Sequence, residues 1–220
     1  MVSRVTFSSA CYVQLPAFLR FLPVAALFHG QVINIAGLAR DAATARTTIE
    51  GYLGILEDTL VATLLLPAFE AKLRVRERQH PKIYWVDPGL VRAAKRQLGP
   101  VAAEERGPLF EGLVLTLLRA HNRDSDLFDE VSYWAPAQAR QTEVDFLLRR
   151  GRDFLAVEVK AQPRFSTPQL AGLRAIGELP RLTRRILVYL GDRHLRTEDG
   201  IDVWPLDRFT AAVADRSLWP

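Results

Sequence analysis

The sequence predicts an α/β fold, α+β over the whole chain, and three observations point to it. The 220 residues are 49% hydrophobic, enough for real cores in one large or two small domains. The first hundred residues read mainly as helices with two strand-like runs, whereas from residue 108 helical and strand periods alternate. Between these regions "KRQLGPVAAEERGP" carries charge, two Gly-Pro steps and no periodicity, which sets a domain boundary near 96–107. The expected organisation is a helical lead-in over 1–30, a unit over 31–100 and a unit over 107–220.

The apolar start "CYVQLPAFLRFLPVAALF" reads as helix with breaks at its prolines. Gln14, Pro16, Arg20 and Pro23 interrupt it, so it falls short of the roughly 18 to 20 continuous apolar residues a membrane span requires. No membrane partner and no export are expected. Ile35, Leu38 and Ala39 then share one helical face, "DAAT" turns the chain, and Ile49, Tyr52, Leu53 and Leu56 recur at helical spacing, a helix-turn-helix pattern. "LVATLLLPAF" and "KIYWVD" read as strands flanking "EAKLRVRERQHP". Two helices followed by a hairpin with a long basic tip is the outline of a winged helix. Asp87 is a natural N-cap with Pro88 at the first helical position. Beyond the boundary the order is helix 108–121, strands 127–134, 142–149 and 154–160, helix 168–178, strands 185–190 and 201–204, and helix 205–214. That order implies helices covering a mixed sheet.

The balance of 29 bases against 25 acids gives a net charge of +4, a weak bias toward polyanions that depends on where the bases cluster. They cluster in "KLRVRERQHPK", where Lys72, Arg74, Arg76 and Arg78 largely alternate and would present a row of cations to successive phosphates. Arg46, Thr47 and Thr48 open the second helix of the helix-turn-helix, the position from which such proteins address the major groove. Without aromatics interleaved in the basic run, duplex or branched DNA is the expected nucleic-acid partner rather than a stacked single strand. A protein-docking role for the same module stands beside this reading. The single cysteine, Cys11, excludes an internal disulfide framework and any zinc site built on several thiolates, and suggests a reducing, cytoplasmic setting. The four histidines show no metal spacing.

The chemistry concentrates in "TEVDFLLRRGRDFLAVEVKA". A hairpin turning at "RGRD" sets Arg149 opposite Phe154 and therefore Asp145 opposite Glu158, with Lys160 on the same face as Glu158. Opposed like charges destabilise a strand pair. Either the three side chains form the wet face of an amphipathic hairpin, or a hard divalent ion held by oxygen ligands removes the repulsion and Lys160 assists phosphodiester chemistry. Glu111, in the apolar run "GPLFEGLVLTLL", is either a first-turn acid favoured by the helix dipole or a third carboxylate reaching that centre.

Glu111 on a helix, Asp145 on a strand and "EVK" on the next strand resemble the PD-(D/E)XK nuclease superfamily, whose core has a similar element order. The wider set "LARDAATARTTIEGYLGILEDTLVATLLLP", "PKIYWVDPGLV", "LFEGLVLTLL", "TEVDFLL" and "AVEVK" resembles the C-terminal half of a bacterial and archaeal family of AAA-type ATPases. In that family a winged helix and a nuclease-like domain of uncharacterised role follow the ATPase module. The resemblance implies a restriction-endonuclease-like mixed sheet flanked by helices. It also implies Mg²⁺ or Mn²⁺ at Glu111, Asp145 and Glu158, with Lys160 catalytic. Gln169 matches a glutamine that some superfamily members add to the site, although "STPQ" also serves as helix-start chemistry. Residue 144 is valine where the superfamily name has proline. With no G-x-x-x-x-G-K-[ST] run, no nucleotide and no ATPase activity are expected of this chain, which reads as a truncated member with a possible ATPase or other protein partner. The function expected is that of a metal-dependent, DNA-binding endonuclease-like protein. A catalytically idle DNA- or protein-docking module is the alternative.

Overall fold

The computed structural model describes residues 9–68, 80–136 and 142–220, with side chains from residue 15 onward. The described residues form a mixed α/β structure with two sheets.

Helix α1 (Ser9–Leu27) runs through Pro16 and Pro23 without the breaks expected of them. Each proline removes one backbone hydrogen bond and strains a turn. The helix is held instead by Phe21, Ala25 and Ala26, buried in a core with Ile33, Leu38, Ile49, Tyr52 and Leu56. Phe18 and Phe21 also lean on the Tyr52 ring, at centroid distances of 5.2 and 5.3 Å. Helices α2 (Ile35–Asp41) and α3 (Arg46–Asp58) follow, with Asn34 capping α2 by accepting from the Ala36 and Gly37 amides. Strands β1 (Gln31–Val32), β2 (Ala62–Leu65) and β3 (Lys82–Trp85) form an antiparallel sheet in the order β1-β3-β2. Asp87 accepts from the Leu90 amide at 2.9 Å and starts helix α4 (Pro88–Ala94).

Helix α5 spans Ala103–Ser125, beginning five residues before the expected 108, so Pro108 lies inside it. The missing sequence signal is a tertiary one: Glu105 accepts from the Ala102 amide while pairing with Lys95 and Arg92 of the preceding segment, which holds the first turn in place. The extra turns also carry Glu111 away from the helix start, so the dipole account of that acid does not apply.

The large sheet comprises β4 (Glu130–Trp134), β5 (Val144–Arg150), β6 (Asp153–Lys160), β7 (Leu182–Tyr189), β8 (Leu195–Arg196) and β9 (Asp202–Pro205) in the order β4-β5-β6-β7-β9-β8. The pairs β6–β7 and β7–β9 are parallel and the others antiparallel. One face packs on α5 and α7 (Leu206–Ala214) through Val114, Leu118, Phe146, Val157 and Phe209. The opposite face, with Leu147, Ala156 and Val203, is covered by Leu170, Leu173 and Ile176. These three belong to a composite element in which α6 (Ala171–Ala175) is flanked by 3₁₀ turns, where a regular helix over 168–178 was expected.

The two sheets meet. The Ala68 amide donates to the Tyr133 carbonyl at 2.8 Å and the Tyr133 amide to Leu66 at 3.0 Å, which joins the chain after β2 to β4. Strand alternation then gives β3 two roles. Ile83 and Trp85 enter the N-terminal core, whereas Tyr84 belongs to the core under the large sheet. Lys82, two residues before Tyr84, faces the same way.

Candidate functional site

The register of β5 with β6 runs from Arg150 opposite Asp153 to Phe146 opposite Val157, around a two-residue turn in which Gly151 has φ +60°. This turn is tighter than "RGRD", but Arg149 still stands opposite Phe154, and continuing the same register one step beyond Phe146–Val157 would set Asp145 against Glu158. Neither carboxylate is on a wet face: Asp145 is 3% exposed and Glu158 4%. Hairpin alternation alone gives no hint of this, because the second sheet face is covered by the composite element that follows β6.

The cluster has a member that sequence reasoning missed. Lys82, 2% exposed, reaches from β3 with its Nζ 3.1 Å from Glu111 Oε1, 3.3 Å from Glu143 Oε1 and 3.5 Å from Asp145 Oδ1. The Tyr84 hydroxyl, on the same strand face, donates to Glu111 Oε1. Asp145 Oδ2 accepts from the Val159 amide at 2.8 Å, so both oxygens of Asp145 are engaged. Lys160 pairs with Glu158 Oε1, while Glu158 Oε2 is buried without a hydrogen-bond partner. Lys82 ends the run "KLRVRERQHPK" and reads there as one more wing cation. The available signal was the period-two placement of Lys82 with Tyr84 in "KIYW".

The electrostatics follow from burial. Dehydration and the neighbouring Asp145 charge push the Glu111 carboxyl up to about 7, against the pull of Lys82 and Tyr84. The same two causes raise Glu158 well above the usual carboxylate range, opposed by Lys160. Burial alone would lower the Lys82 ammonium, but Glu111, Asp145 and Glu143 outweigh it and hold the group charged above the usual lysine range. Lys160 is raised in the same way, with Asp145 and Glu158 overcoming its dehydration.

A pH prediction comes from Glu111. Its folded value lies above its ordinary 4.5, so between about 4.5 and 7 the native state binds more protons than the unfolded one, and this residue's contribution to stability falls as pH rises. Buried His29, lowered to about 4 by dehydration, acts in the opposite sense below 6.5. Comparing wild type with Glu111→Gln cancels the His29 effect. The variant is expected to gain stability relative to wild type steadily from about pH 4.5 to 7, and denaturant titrations across that range test it.

The remaining expected site residues fall as follows. Gln169 does not reach the carboxylates: its Oε1 accepts from the Ser166 amide at 2.8 Å and its Nε2 donates to Gln162 at 2.7 Å. It does line, with Glu143, Glu158 and Lys160, an open cleft of about 360 Å³. Arg46 and Thr47 are exposed at the start of α3 and Thr48 is half-buried, with Arg46 paired to Glu50 at 2.9 Å. Lys72, Arg74, Arg76 and Arg78 lie outside the described residues.

The divalent ion implied by the superfamily resemblance does not fit this arrangement. Among the described residues no group of three or more His, Cys, Asp or Glu side chains is disposed to hold a metal ion. Glu111 and Asp145 each direct an oxygen at the Lys82 ammonium, and a second cation held by those oxygens would stand against it unscreened. Among the described residues no helix is long and apolar enough to cross a membrane.

Over 199 residues the chain is 33% identical to "Uncharacterized protein Mb2031c" of Mycobacterium bovis and to "Uncharacterized protein Rv2008c" of Mycobacterium tuberculosis; the match takes in 87% of this chain and 42% of each relative. The chain thus spans less than half the length of these relatives. The crystal structure of protein VC1899 from Vibrio cholerae aligns with 96% of this chain and 56% of its own, at 15% identity and a TM-score of 0.39. Residues 12–100 match a domain of unknown function (DUF8612). Residues 106–209, which hold Glu111, Asp145, Glu158 and Lys160, match a domain of unknown function (DUF4143).

Proposed function

We propose that the chain is a duplex-DNA-docking module of a longer AAA-type ATPase-like protein, in which a winged-helix-like unit leans on a PD-(D/E)XK-like domain whose acid cluster is catalytically idle. The observation that carries the idle cluster is Lys82, which supplies the carboxylates with an internal cation at 3.1–3.5 Å. The exposed start of α3 and the basic run after β2 support the DNA surface, and the coverage of less than half of the mycobacterial relatives supports the larger assembly.

DNA affinity is expected to fall steeply with salt. Replacing Lys72, Arg74, Arg76 and Arg78 together with alanine should reduce the magnitude of the log–log salt slope by about 3, while Asp145→Asn leaves affinity unchanged. Fluorescence anisotropy with a labelled duplex across a salt series reads both. An unchanged slope in the quadruple variant would remove the DNA role and leave docking to protein.

A second reading, a metal-dependent endonuclease, is favoured by one observation: Glu158 Oε2 is buried and unpartnered beside Lys160 and the 360 Å³ cleft. Incubating the chain with linear, branched and supercoiled DNA in Mg²⁺ or Mn²⁺ separates the readings. Cleavage lost in Asp145→Asn would overturn the idle cluster.

A further inference from the structure

Away from the acids of the cluster, the small sheet and the outer face of α5 enclose an open groove of about 230 Å³. Thr116, Arg119 and Arg123 recur on α5 at spacings of three and four and form one wall. Leu60, Thr63 and Val86 stand opposite them, from the ends of α3 and β3 and from β2. Two hydrogen bonds hold the walls together. The Thr116 hydroxyl donates to the Val86 carbonyl at 2.8 Å, and the Arg119 guanidinium donates to the Thr63 hydroxyl.

The groove has an apolar rim and an uncompensated positive one. Leu60 and Val86 are 66% and 46% exposed and join none of the buried cores. Leu60 also has φ +59°, in the left-handed position just past α3 where glycine is favoured, so its side chain costs backbone energy and gains no burial within the chain. Across from it, Arg119 is oriented in an unusual way. Arg46, Arg149, Arg174 and Arg181 are each held by a carboxylate, whereas Arg119 is held by a neutral hydroxyl. Among the described residues no carboxylate lies within ion-pair distance of Arg119 or Arg123. A guanidinium fixed in place with its charge and most of its donors unused is preorganised for an external carboxylate.

We propose that this groove is a docking site for an acidic amphipathic helix of a partner protein, which sets an apolar side chain between Leu60 and Val86 and two carboxylates, one turn apart, on Arg119 and Arg123. The spacing of four between the arginines matches carboxylates on successive turns of a helix lying along α5. The exposed leucine and valine extend the apolar surface beyond the cleft itself, which a small free acid would leave uncovered and a phosphate backbone would not seek. This site is independent of the DNA surface proposed above, which uses the start of α3 and the run 72–78.

The test is fluorescence anisotropy of the whole chain with a labelled helical peptide of about four turns, carrying a leucine stripe flanked by glutamates at i and i+4, and with its glutamine-for-glutamate counterpart. Wild type is expected to bind the acidic peptide at about 1–100 μM and the glutamine peptide at least about tenfold more weakly. Leu60→Gly discriminates docking from folding: it should hold or raise the melting temperature, since glycine suits the left-handed backbone, and still weaken the acidic peptide about tenfold. Arg123→Gln, at an exposed residue, should weaken the acidic peptide about fivefold and leave the glutamine peptide unchanged. Three results would overturn the assignment: no saturable binding of the acidic peptide to wild type below about 1 mM, equal binding of the two peptides, or binding indifferent to both variants. Two more would give the groove another occupant and overturn the helix as well. One is a DNA duplex that displaces the peptide and itself binds Arg123→Gln more weakly. The other is a wild-type dimer, in sedimentation, that Leu60→Gly dissociates.

Discussion

Lys82→Met is expected to destabilise the fold by about 3–5 kcal/mol at neutral pH, the range for removing one partner from a buried ion-pair network. The methionine fills much of the same volume, so the loss is electrostatic rather than a cavity effect. Without the ammonium, Glu111 and Asp145 are left facing each other with no cation between them, and Glu143 loses its partner. The cost should shrink as pH falls toward 5, because Glu111 already titrates near 7 and takes up a proton in relief. Urea unfolding at pH 5 and pH 7.5 measures both the size and the direction. A triple variant, Lys82→Met with Glu111→Gln and Asp145→Asn, should recover most of the stability, since replacing a whole buried ionic set is far less costly than breaking it. The equivalent change at Lys160 leaves the buried Glu158 carboxylate without its cation, so it should also cost stability, with the cost relieved where Glu158, its carboxyl already pushed up by burial, takes up a proton.

Hairpin geometry and helix periodicity made much of this legible in the sequence. The opposed positions of Asp145 and Glu158 followed from counting across a turn, and the turn proved tighter without altering the register. Glu111 stood out as an acid in an apolar run, and its helix does pack on the large sheet. Both inferences rest on local periods of 2 and 3.6, which a single sequence contains. The counter-ion was hidden because it depends on how two sheets meet. Lys82 is contiguous with a basic run, and only the pairing of the chain after β2 with Tyr133 of β4 turns it inward. Burial of the hairpin's second face was hidden for a related reason: the covering element, α6 with its flanking 3₁₀ turns, has too irregular a period to reveal which surface it contacts. The prolines of α1 and Pro108 of α5 show the same limit, since tertiary packing outweighed a local helix-breaking signal.

The covering element also explains why one glycine is expected to be indispensable. A Cβ on Gly172 would overlap the Glu143 carbonyl oxygen and stand 2.8 Å from its carbon. The obstacle is backbone, so no rotamer change relieves it. Gly172→Ala therefore has to lift α6 from the large sheet or displace the chain entering β5. Lifting α6 loosens Leu170 and Leu173 from the core with Leu147 and Ala156, while displacing Glu143 disturbs a Lys82 partner two residues from Asp145. Overpacking a well-filled interior costs about 1–3 kcal/mol and occasionally more, and a clash with backbone belongs at or above the upper end. Gly172→Ala is accordingly expected to lose about 3 kcal/mol in chemical denaturation. Gly51→Ala is the matched control: it lies mid-helix in α3, a Cβ there meets nothing within 4 Å, and better helix propensity should leave it neutral to stabilising. If Gly172→Ala were as benign as Gly51→Ala, the close seating of α6 on the entry to β5 would be wrong, and with it the account of why Asp145 and Glu158 are buried.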